Sequence, residues 1–174
     1  MIYALTGLMG SGKTTVGKLL AERHPGSVFI DLDMWIEQTE GRKIPEIFRT
    51  EGEEGFRDIE TEALMDAVTS YESGIMFLSL GGGTLIRQRN REIVAAVSHC
   101  IYLQGSPATL AAHLSGAPSG RPLLEGAASQ EERLSELLSA RSAGYEAVAR
   151  YTVEIDGKTP LEIAEEIERM TVLQ

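Results

Sequence analysis

Near its N-terminus the chain reads Gly7-Leu8-Met9-Gly10-Ser11-Gly12-Lys13-Thr14, which fits the pattern G-x-x-x-x-G-K-[ST]. An apolar run over residues 2–5 comes directly before it, and a helical pattern over residues 16–20 follows it. A strand, a glycine-rich turn and a helix N-terminus are the context that a phosphate-binding loop requires. Because glycine has no Cβ, successive backbone N–H groups of such a loop can curl around a polyphosphate. We therefore predict that the chain binds a nucleoside triphosphate here.

The residues of this loop have different expected contacts with the nucleotide. The backbone amides of residues 10–12 and the positive end of the helix dipole favour phosphate oxygens. Lys13 is expected to neutralise the charge of the β- and γ-phosphates, and Thr14 offers a hydroxyl to Mg²⁺. Thr15, in the first turn of the same helix, completes the predicted nucleotide site.

Composition predicts one globular domain over residues 1–174, since 43% of the residues are hydrophobic and 24% are charged. The formal net charge of −10 disfavours a nucleic-acid partner, because phosphate backbones attract basic surfaces. An anionic substrate must therefore be held by locally placed arginines rather than by the overall field.

The single cysteine and the lack of long apolar runs bear on the cell compartment. Cys100 cannot form an internal disulfide and is expected to be a buried, inert thiol, which fits a reducing cytosol. No run approaches the roughly 18 apolar residues of a membrane span, and the N-terminus lacks the basic region of a secretory signal. We expect a cytoplasmic monomer that does not bind membranes.

Strand-like and helical patterns alternate along the chain, which is typical of a parallel sheet covered by helices on both sides. Strands are predicted at residues 2–6, 28–30, 75–80, 100–103 and 151–155. Helices are predicted at residues 13–23, 33–39, 56–70, 87–97, 106–113, 130–149 and 160–170. The predicted fold class is α/β.

Two segments interrupt this alternation. Residues 31–70 form a polar, largely helical excursion between the second and third strands. Residues 115–120 are all small or turn-forming, and either a mobile lid or a disordered linker can have this composition. Because both flanks belong to the same predicted domain, we favour a lid.

Two acidic residues follow the second predicted strand. Asp31 and Asp33 stand two residues apart on an extended chain, so their side chains emerge on the same side. Ligands of open α/β sheets bind at the carboxyl ends of the strands, where this pair lies. One carboxylate near Mg²⁺ and one near an acceptor hydroxyl suit phosphoryl transfer, whereas Asp33 could instead simply cap the following helix.

The third predicted strand ends in three consecutive glycines, Gly81, Gly82 and Gly83. Because glycine lacks a side chain, such a run permits a close approach between backbone and ligand. The spacing alone leaves a plain loop open as the alternative.

Three arginines are candidates for binding an anion. Arg141 lies on the apolar stripe of its predicted helix, where a buried arginine requires either an internal carboxylate or a ligand. Arg57 has Glu60 three residues on, so an exposed ion pair is the alternative to a ligand contact. Arg121 follows the glycine-rich segment, from which a closing lid could bring it onto a phosphate.

Together these residues resemble the shikimate kinase family, small P-loop kinases related in fold to the nucleoside monophosphate kinases. The resemblance runs from Tyr3 to about Ile167, and its motifs occur in the family's order and spacing. These motifs are the loop 7–14, Asp31 with Asp33, Phe56-Arg57 with Glu60, the glycines 81–83, Arg121-Pro122-Leu123-Leu124, and Arg141 with Tyr145.

The resemblance implies a three-layer fold with a five-stranded parallel sheet, a substrate-binding helical region at about 31–62 and a lid at about 113–124. It implies ATP and Mg²⁺ as cofactors, with Mg²⁺ bound to Thr14 and linked through water to Asp31. Lys158 matches a basic position near the nucleotide, and Arg121 and Lys13 would offset charge on the transferring phosphoryl group.

The resemblance also implies how shikimate is held. Arg57 and Arg141 would grip its carboxylate, and the glycine triplet would contact the same molecule. Asp33 would bind the ring hydroxyls and orient the one that attacks, so the implied catalytic residues are Lys13, Asp33 and Arg121.

The implied activity is ATP-dependent phosphorylation of the 3-hydroxyl of shikimate, a step towards chorismate and the aromatic amino acids. A kinase for another small hydroxy acid, such as gluconate, and a catalytically silent protein on this fold are the alternatives. The chain departs from the family in one respect, because family lids usually carry an arginine that packs on adenine. Residues 102–120 contain no lysine or arginine.

Overall fold

The predicted alternation of strands and helices is confirmed in the computed structural model, which describes residues 1–115, 129–171 and 173. Within these ranges the strands are β1 (Ile2–Thr6), β2 (Val28–Asp31), β3 (Met76–Ser79), β4 (Ser98–Gln104) and β5 (Tyr151–Glu154). The helices are α1 (Lys13–Arg23), α2 (Leu32–Glu40), α3 (Ile44–Thr69), α4 (Gln88–Val97), α5 (Pro107–Leu114), α6 (Gln130–Val148) and α7 (Pro160–Thr171). A short 3₁₀ helix covers Thr84–Ile86.

The five strands form one parallel sheet in the order β2-β3-β1-β4-β5. In the central strand β1, Ala4 stands opposite Leu78 of β3 and Cys100 of β4. Every residue of β1 is buried, as a parallel strand covered on both faces requires. Helix α1 packs against α7 and β3, while α4 and α6 pack against β4. The predicted three-layer α/β fold is therefore confirmed.

Several segments that contain predicted site residues lie at the carboxyl edge of this sheet. The loop 7–12 follows β1, Asp31 ends β2, and the glycines 81–83 come directly after β3. Lys158 lies in the loop between β5 and α7. Since ligands of parallel α/β sheets bind at this edge, the strand topology brings these four segments to one place.

The helix predicted at 56–70 begins earlier than expected. Helix α3 runs from Ile44 to Thr69 and is interrupted at Gly52, whose φ of 73° and ψ of −178° are not helical. The part before Gly52 is only about two turns long, so the i, i+3, i+4 spacing of Ile44, Ile47 and Phe48 is a short signal, and Ile47 is its one fully buried residue. Pro45 in the first turn is the start signal that the sequence does contain.

Three further expectations concern the lid, the single cysteine and membrane-spanning helices. The lid predicted at about 113–124 lies mostly outside the described residues, and Arg121 lies wholly outside them. Cys100 is buried as predicted, and burial raises the pKa of its thiol to about 12. No helix in the described ranges is long and apolar enough to cross a membrane.

Candidate active site

A cavity of about 690 Å³ opens at the carboxyl edge of the sheet. Its walls include all the predicted site residues that the structure describes. These are residues 10–15 of the phosphate-binding loop and α1, Asp31, Asp33, Arg57, the glycines 81–83, Arg141 and Lys158. Segments from β1, β2, β3, α3, α6 and the loop before α7 thus converge on one space, as the fold class predicts.

The phosphate-binding loop has the backbone that its sequence predicts. Gly7, Gly10 and Gly12 have positive φ values of 143°, 85° and 83°, and α1 begins directly after Gly12. The Lys13 ammonium donates hydrogen bonds to the carbonyl oxygens of Gly7 at 2.9 Å and Leu8 at 3.1 Å. Its positive charge is therefore held across the mouth of the loop.

Thr14 and Asp31 meet at the wall of the cavity. The Thr14 hydroxyl donates a hydrogen bond to Asp31 Oδ2 at 2.5 Å. The other oxygen of this carboxylate accepts a hydrogen bond from the backbone N–H of Met34 at 3.2 Å and so caps α2. The cap of α2 is therefore Asp31, and the alternative role of Asp33 as a helix cap is wrong.

Asp33, in the first turn of α2, has an unusual electrostatic setting. Burial raises the pKa of its carboxyl to about 6, and the neighbouring carboxylates of Asp31 and Glu60 contribute to the rise. The positive charges of Lys13 and Arg57 act in the opposite direction. A carboxylate with a pKa near neutrality suits a group that accepts a proton during a reaction.

Arg57 pairs with Glu60, as the i,i+3 spacing predicts, but the pair is buried rather than exposed. The two residues are 4% and 1% exposed, and Arg57 Nη1 donates to Glu60 Oε2 at 2.7 Å. A longer contact of 3.4 Å joins Arg57 Nη2 to the exposed Glu53. The Nε of Arg57 has no hydrogen-bond partner among the described residues.

Arg141 lies on the buried stripe of α6, as its periodicity predicts, and is 8% exposed. Its Nη1 donates to the carbonyl oxygen of Gly82 at 3.2 Å, and the Tyr145 hydroxyl donates to the same oxygen at 2.5 Å. Within residues 1–115 and 129–171 the Arg141 guanidinium forms no ion pair with a carboxylate. Burial lowers its pKa, and the nearby charge of Arg57 also lowers it.

The glycine triplet makes room for side chains on both sides of the cavity. A Cβ on Gly81 would stand 2.8 Å from Asp33 Oδ1 and 3.1 Å from Glu60 Oε1. A Cβ on Gly83 would collide with the Arg57 guanidinium. The close approach that three glycines predict therefore includes an approach to the protein's own charged groups.

Lys158 and His113 also line the cavity, and of these two only Lys158 was predicted to do so. Lys158 lines the cavity and donates from Nζ to Glu166 Oε2 of α7 at 2.6 Å. At the end of α5, His113 Nδ1 lies 2.7 Å from the carbonyl oxygen of Gly10. The contact of His113 with the phosphate-binding loop was missed, because only the fold brings α5 against that loop.

Comparison with known proteins agrees with this geometry. The shikimate kinase family model matches residues 9–171. A shikimate kinase of Dictyoglomus turgidum is 40% identical over 166 residues, which cover 94% of this chain and 93% of that protein. A shikimate kinase of Alkaliphilus oremlandii is 36% identical over 163 residues, which cover 94% of each. The chain belongs to the shikimate kinase family.

A solved structure supports the same relationship. Shikimate kinase from Acinetobacter baumannii, in complex with shikimate, is 34% identical and matches with a TM-score of 0.89. The match covers 98% of this chain and 92% of that one. The chain is accordingly a kinase that uses ATP and a small-molecule substrate.

Proposed function

We propose that this member of the shikimate kinase family transfers the terminal phosphoryl group of ATP to the 3-hydroxyl of shikimate. The products are ADP and shikimate 3-phosphate, on the route to chorismate. The observation that carries the proposal is the buried Arg141 guanidinium, which forms no ion pair within the described residues yet faces the cavity of the phosphate-binding loop. A buried cation of this kind is stabilised when an anionic ligand binds beside it.

The acceptor side of the cavity suits a cyclic hydroxy acid. Arg141 and Arg57 together present planar groups of N–H donors, which bind a carboxylate bidentately. The glycines 81–83 let the six-membered carbon ring of the acceptor approach the backbone closely. Asp33 stands nearby to accept hydrogen bonds from ring hydroxyls, which fits an acceptor that carries one carboxylate and several hydroxyl groups.

The nucleotide side suits ATP with Mg²⁺. The amides of residues 10–12 and the Lys13 ammonium would hold the phosphates, with Thr15 in the same turn. Thr14 Oγ1 and Asp31 Oδ2, 2.5 Å apart, are the hard oxygen donors that Mg²⁺ prefers, with Asp31 acting through water. When bound, Mg²⁺ supplies positive charge to the β- and γ-phosphate oxygens.

The chemical step then follows from these positions. The 3-hydroxyl oxygen attacks the γ-phosphorus, its bond to phosphorus forms, and the bond from the γ-phosphorus to the β–γ bridging oxygen breaks. Asp33 orients the hydroxyl and accepts its proton, while ADP leaves with the bridging oxygen. Lys13 and Arg121 offset the charge that develops on the transferring group.

The proposal also includes the roles of two segments and of Lys158, the cell compartment and the oligomeric state. Residues 31–62 form the substrate-binding region, residues 113–124 form a lid that excludes water, and Lys158 lies beside the nucleotide. The chain acts as a single cytoplasmic domain and as a monomer. Its net charge of −10 supports action on a small molecule rather than on nucleic acid or at a membrane.

A coupled assay of ADP release tests the proposal. Shikimate, gluconate and nucleoside monophosphates are compared as acceptors at equal concentrations, each with and without Mg²⁺. We expect Mg²⁺-dependent turnover with shikimate at least about 100-fold faster than with the other acceptors, because both arginines require a carboxylate and the ring must fit the glycines. Equal or faster turnover with gluconate would assign a different substrate.

A further inference from the structure

Thr84, the residue directly after the glycine triplet, is held on several sides. Its backbone N–H donates to the carbonyl oxygen of Gly81 at 3.1 Å, and its own carbonyl oxygen accepts from Asn90 Nδ2 at 2.9 Å. The residue has no solvent exposure. Because the backbone is pinned and the side chain is β-branched, the direction of the hydroxyl is restricted.

The Thr84 hydroxyl uses this direction to reach Glu60. Thr84 Oγ1 donates to Glu60 Oε1 at 2.7 Å, while Glu60 Oε2 accepts from Arg57 Nη1 at 2.7 Å. One carboxylate thus has a donor on each oxygen, which fixes the plane of the group. Since Glu60 is 1% exposed, water cannot readily replace a donor that is lost.

Glu60 in turn sets the position of Arg57. The Arg57 guanidinium fills the space where a side chain on Gly83 would stand, and its Nη1 lies on Glu60. Arg141 is held separately, through the carbonyl oxygen of Gly82. The hydrogen bonds of Thr84 therefore reach Arg57 through Glu60, whereas Arg141 shares no hydrogen-bond partner with them.

We propose that Thr84 is a positioning residue for the acceptor, since its hydroxyl locks Glu60 so that Arg57 presents its guanidinium to the substrate carboxylate. The proposal rests on the proposed function, because it assigns Thr84 a role in shikimate binding. Without the hydroxyl, Glu60 Oε1 would be a buried acceptor without a donor. The carboxylate would turn to find another partner and would carry Arg57 with it.

Kinetics of two variants test this role. Thr84→Val keeps the shape of the side chain and removes the hydroxyl, whereas Thr84→Ser keeps the hydroxyl. We expect Thr84→Val to raise the KM for shikimate about tenfold or more, as the loss of a hydrogen bond to a buried charge implies, and to change the KM for ATP by less than about twofold. Thr84→Ser should stay within about threefold of the wild type for both substrates.

A matched control separates this effect from the loss of any buried hydroxyl. Thr61 is 5% exposed, and its hydroxyl donates to the backbone carbonyl of Arg57 at 2.9 Å rather than to the Glu60 carboxylate. Thr61→Val should therefore leave the KM for shikimate within about twofold of the wild-type value. If Thr84→Val does not fold, Thr84→Ala is measured against the same criteria.

A double variant tests whether Thr84 acts through Glu60. In a Glu60→Gln background, Thr84→Val should add less than about twofold to the KM for shikimate, because the carboxylate that it orients is already gone. Three results would each overturn the proposal. The first is that the effects of the two substitutions on the KM for shikimate are fully additive, and the second is that Thr84→Val leaves this KM unchanged. The third is that Thr84→Ser is as impaired as Thr84→Val. A wild-type protein that does not turn over shikimate would instead reject the proposed function itself.

Discussion

The hydroxyl of Thr14 donates to Oδ2 of Asp31 across 2.5 Å, and this contact joins the first turn of α1 to the end of β2. The same carboxylate caps α2 through its other oxygen. One acidic side chain therefore connects the helix after the phosphate-binding loop to the helix that carries Asp33. The contact also places two oxygen ligands of the kind that Mg²⁺ prefers side by side.

Removing the Thr14 hydroxyl should weaken the response to Mg²⁺. We expect Thr14→Val to raise the Mg²⁺ concentration for half-maximal activity about tenfold or more, because one hard oxygen ligand is lost. Thr14→Ser retains the hydroxyl and is the matched control. Activity titrated against Mg²⁺ at fixed ATP measures the effect, and an unchanged titration for Thr14→Val would remove this hydroxyl from the metal site.

Arg141→Lys should impair the binding of shikimate selectively. Lysine keeps the charge but loses the planar set of donors, so we expect the KM for shikimate to rise at least about tenfold and the KM for ATP to change little. Arg133→Lys, on the same helix but paired with Glu136 outside the cavity, is the control. Unchanged shikimate kinetics in Arg141→Lys would contradict the carboxylate role of Arg141.

Asp33→Asn should lower turnover without loss of nucleotide binding. An amide cannot accept the proton of the attacking hydroxyl, so we expect kcat to fall about 100-fold or more. The affinity for ATP, measured by calorimetry, should remain within about threefold of the wild type. Asp66→Asn alters an exposed carboxylate on α3 and should leave kcat unchanged. Turnover of Asp33→Asn near the wild-type rate would show that Asp33 is not the proton acceptor.

The raised pKa of Asp33 predicts the pH dependence of the reaction. The carboxyl must be ionised to act, and its pKa in the free protein is about 6. We expect kcat/KM for shikimate to be constant above about pH 7 and to fall about tenfold per pH unit well below pH 6. Rates measured from pH 5 to 8 with ATP and shikimate both below saturation would show this limb, because they report the pKa of the free protein. A profile that is flat down to pH 5 would contradict the assignment.

The raised pKa of Asp33 also predicts that the ionised carboxylate, which the reaction needs, lowers the free energy of unfolding. The folded pKa of about 6 lies above the ordinary value of 3.8, so the protonated carboxyl is favoured on folding. The stabilisation of the folded state by this protonation is complete below about pH 3.8 and is lost as the pH rises through 6. Asp33→Asn should therefore be more stable than the wild type at pH 8, and the difference should shrink by about 1 kcal/mol at pH 5. Urea unfolding at both values measures it, and a difference that grows towards pH 5 would reverse the sign.

Much of the site could be predicted from sequence because its signals are local. The phosphate-binding loop needs a fixed spacing of glycines, a lysine and a threonine between a strand and a helix, and all of these are adjacent in the chain. Arg141 was recognisable because helical periodicity places it among apolar residues that are indeed buried. The start of α3 was missed because the segment before Gly52 is only about two turns long, although Ile44, Ile47 and Phe48 in it have helical spacing.

The contacts of Glu60 show which features of the site could not be predicted from the sequence. Its spacing from Arg57 indicates an ion pair, but spacing is the same for an exposed pair and for a buried one. Burial depends on the packing of α3 against the segment after β3, where Thr84 lies 24 residues away along the chain. The choice between Asp31 and Asp33 as the cap of α2 likewise depended on where the helix begins, since Asp31 has an extended backbone just before Leu32 and Asp33 lies inside the first turn.

By itself, the sequence determined the phosphate-binding loop, the order of strands and helices and the family, since each depends on neighbouring residues or on periodicity along one element. Only the tertiary structure decided that Arg57 is neutralised by a buried glutamate, that Arg141 has no such partner in the described residues, and that Asp33 titrates near pH 6. The physical reason is that charge pairing and desolvation depend on distances between elements far apart in the chain, and those distances are set only when the helices pack onto the sheet.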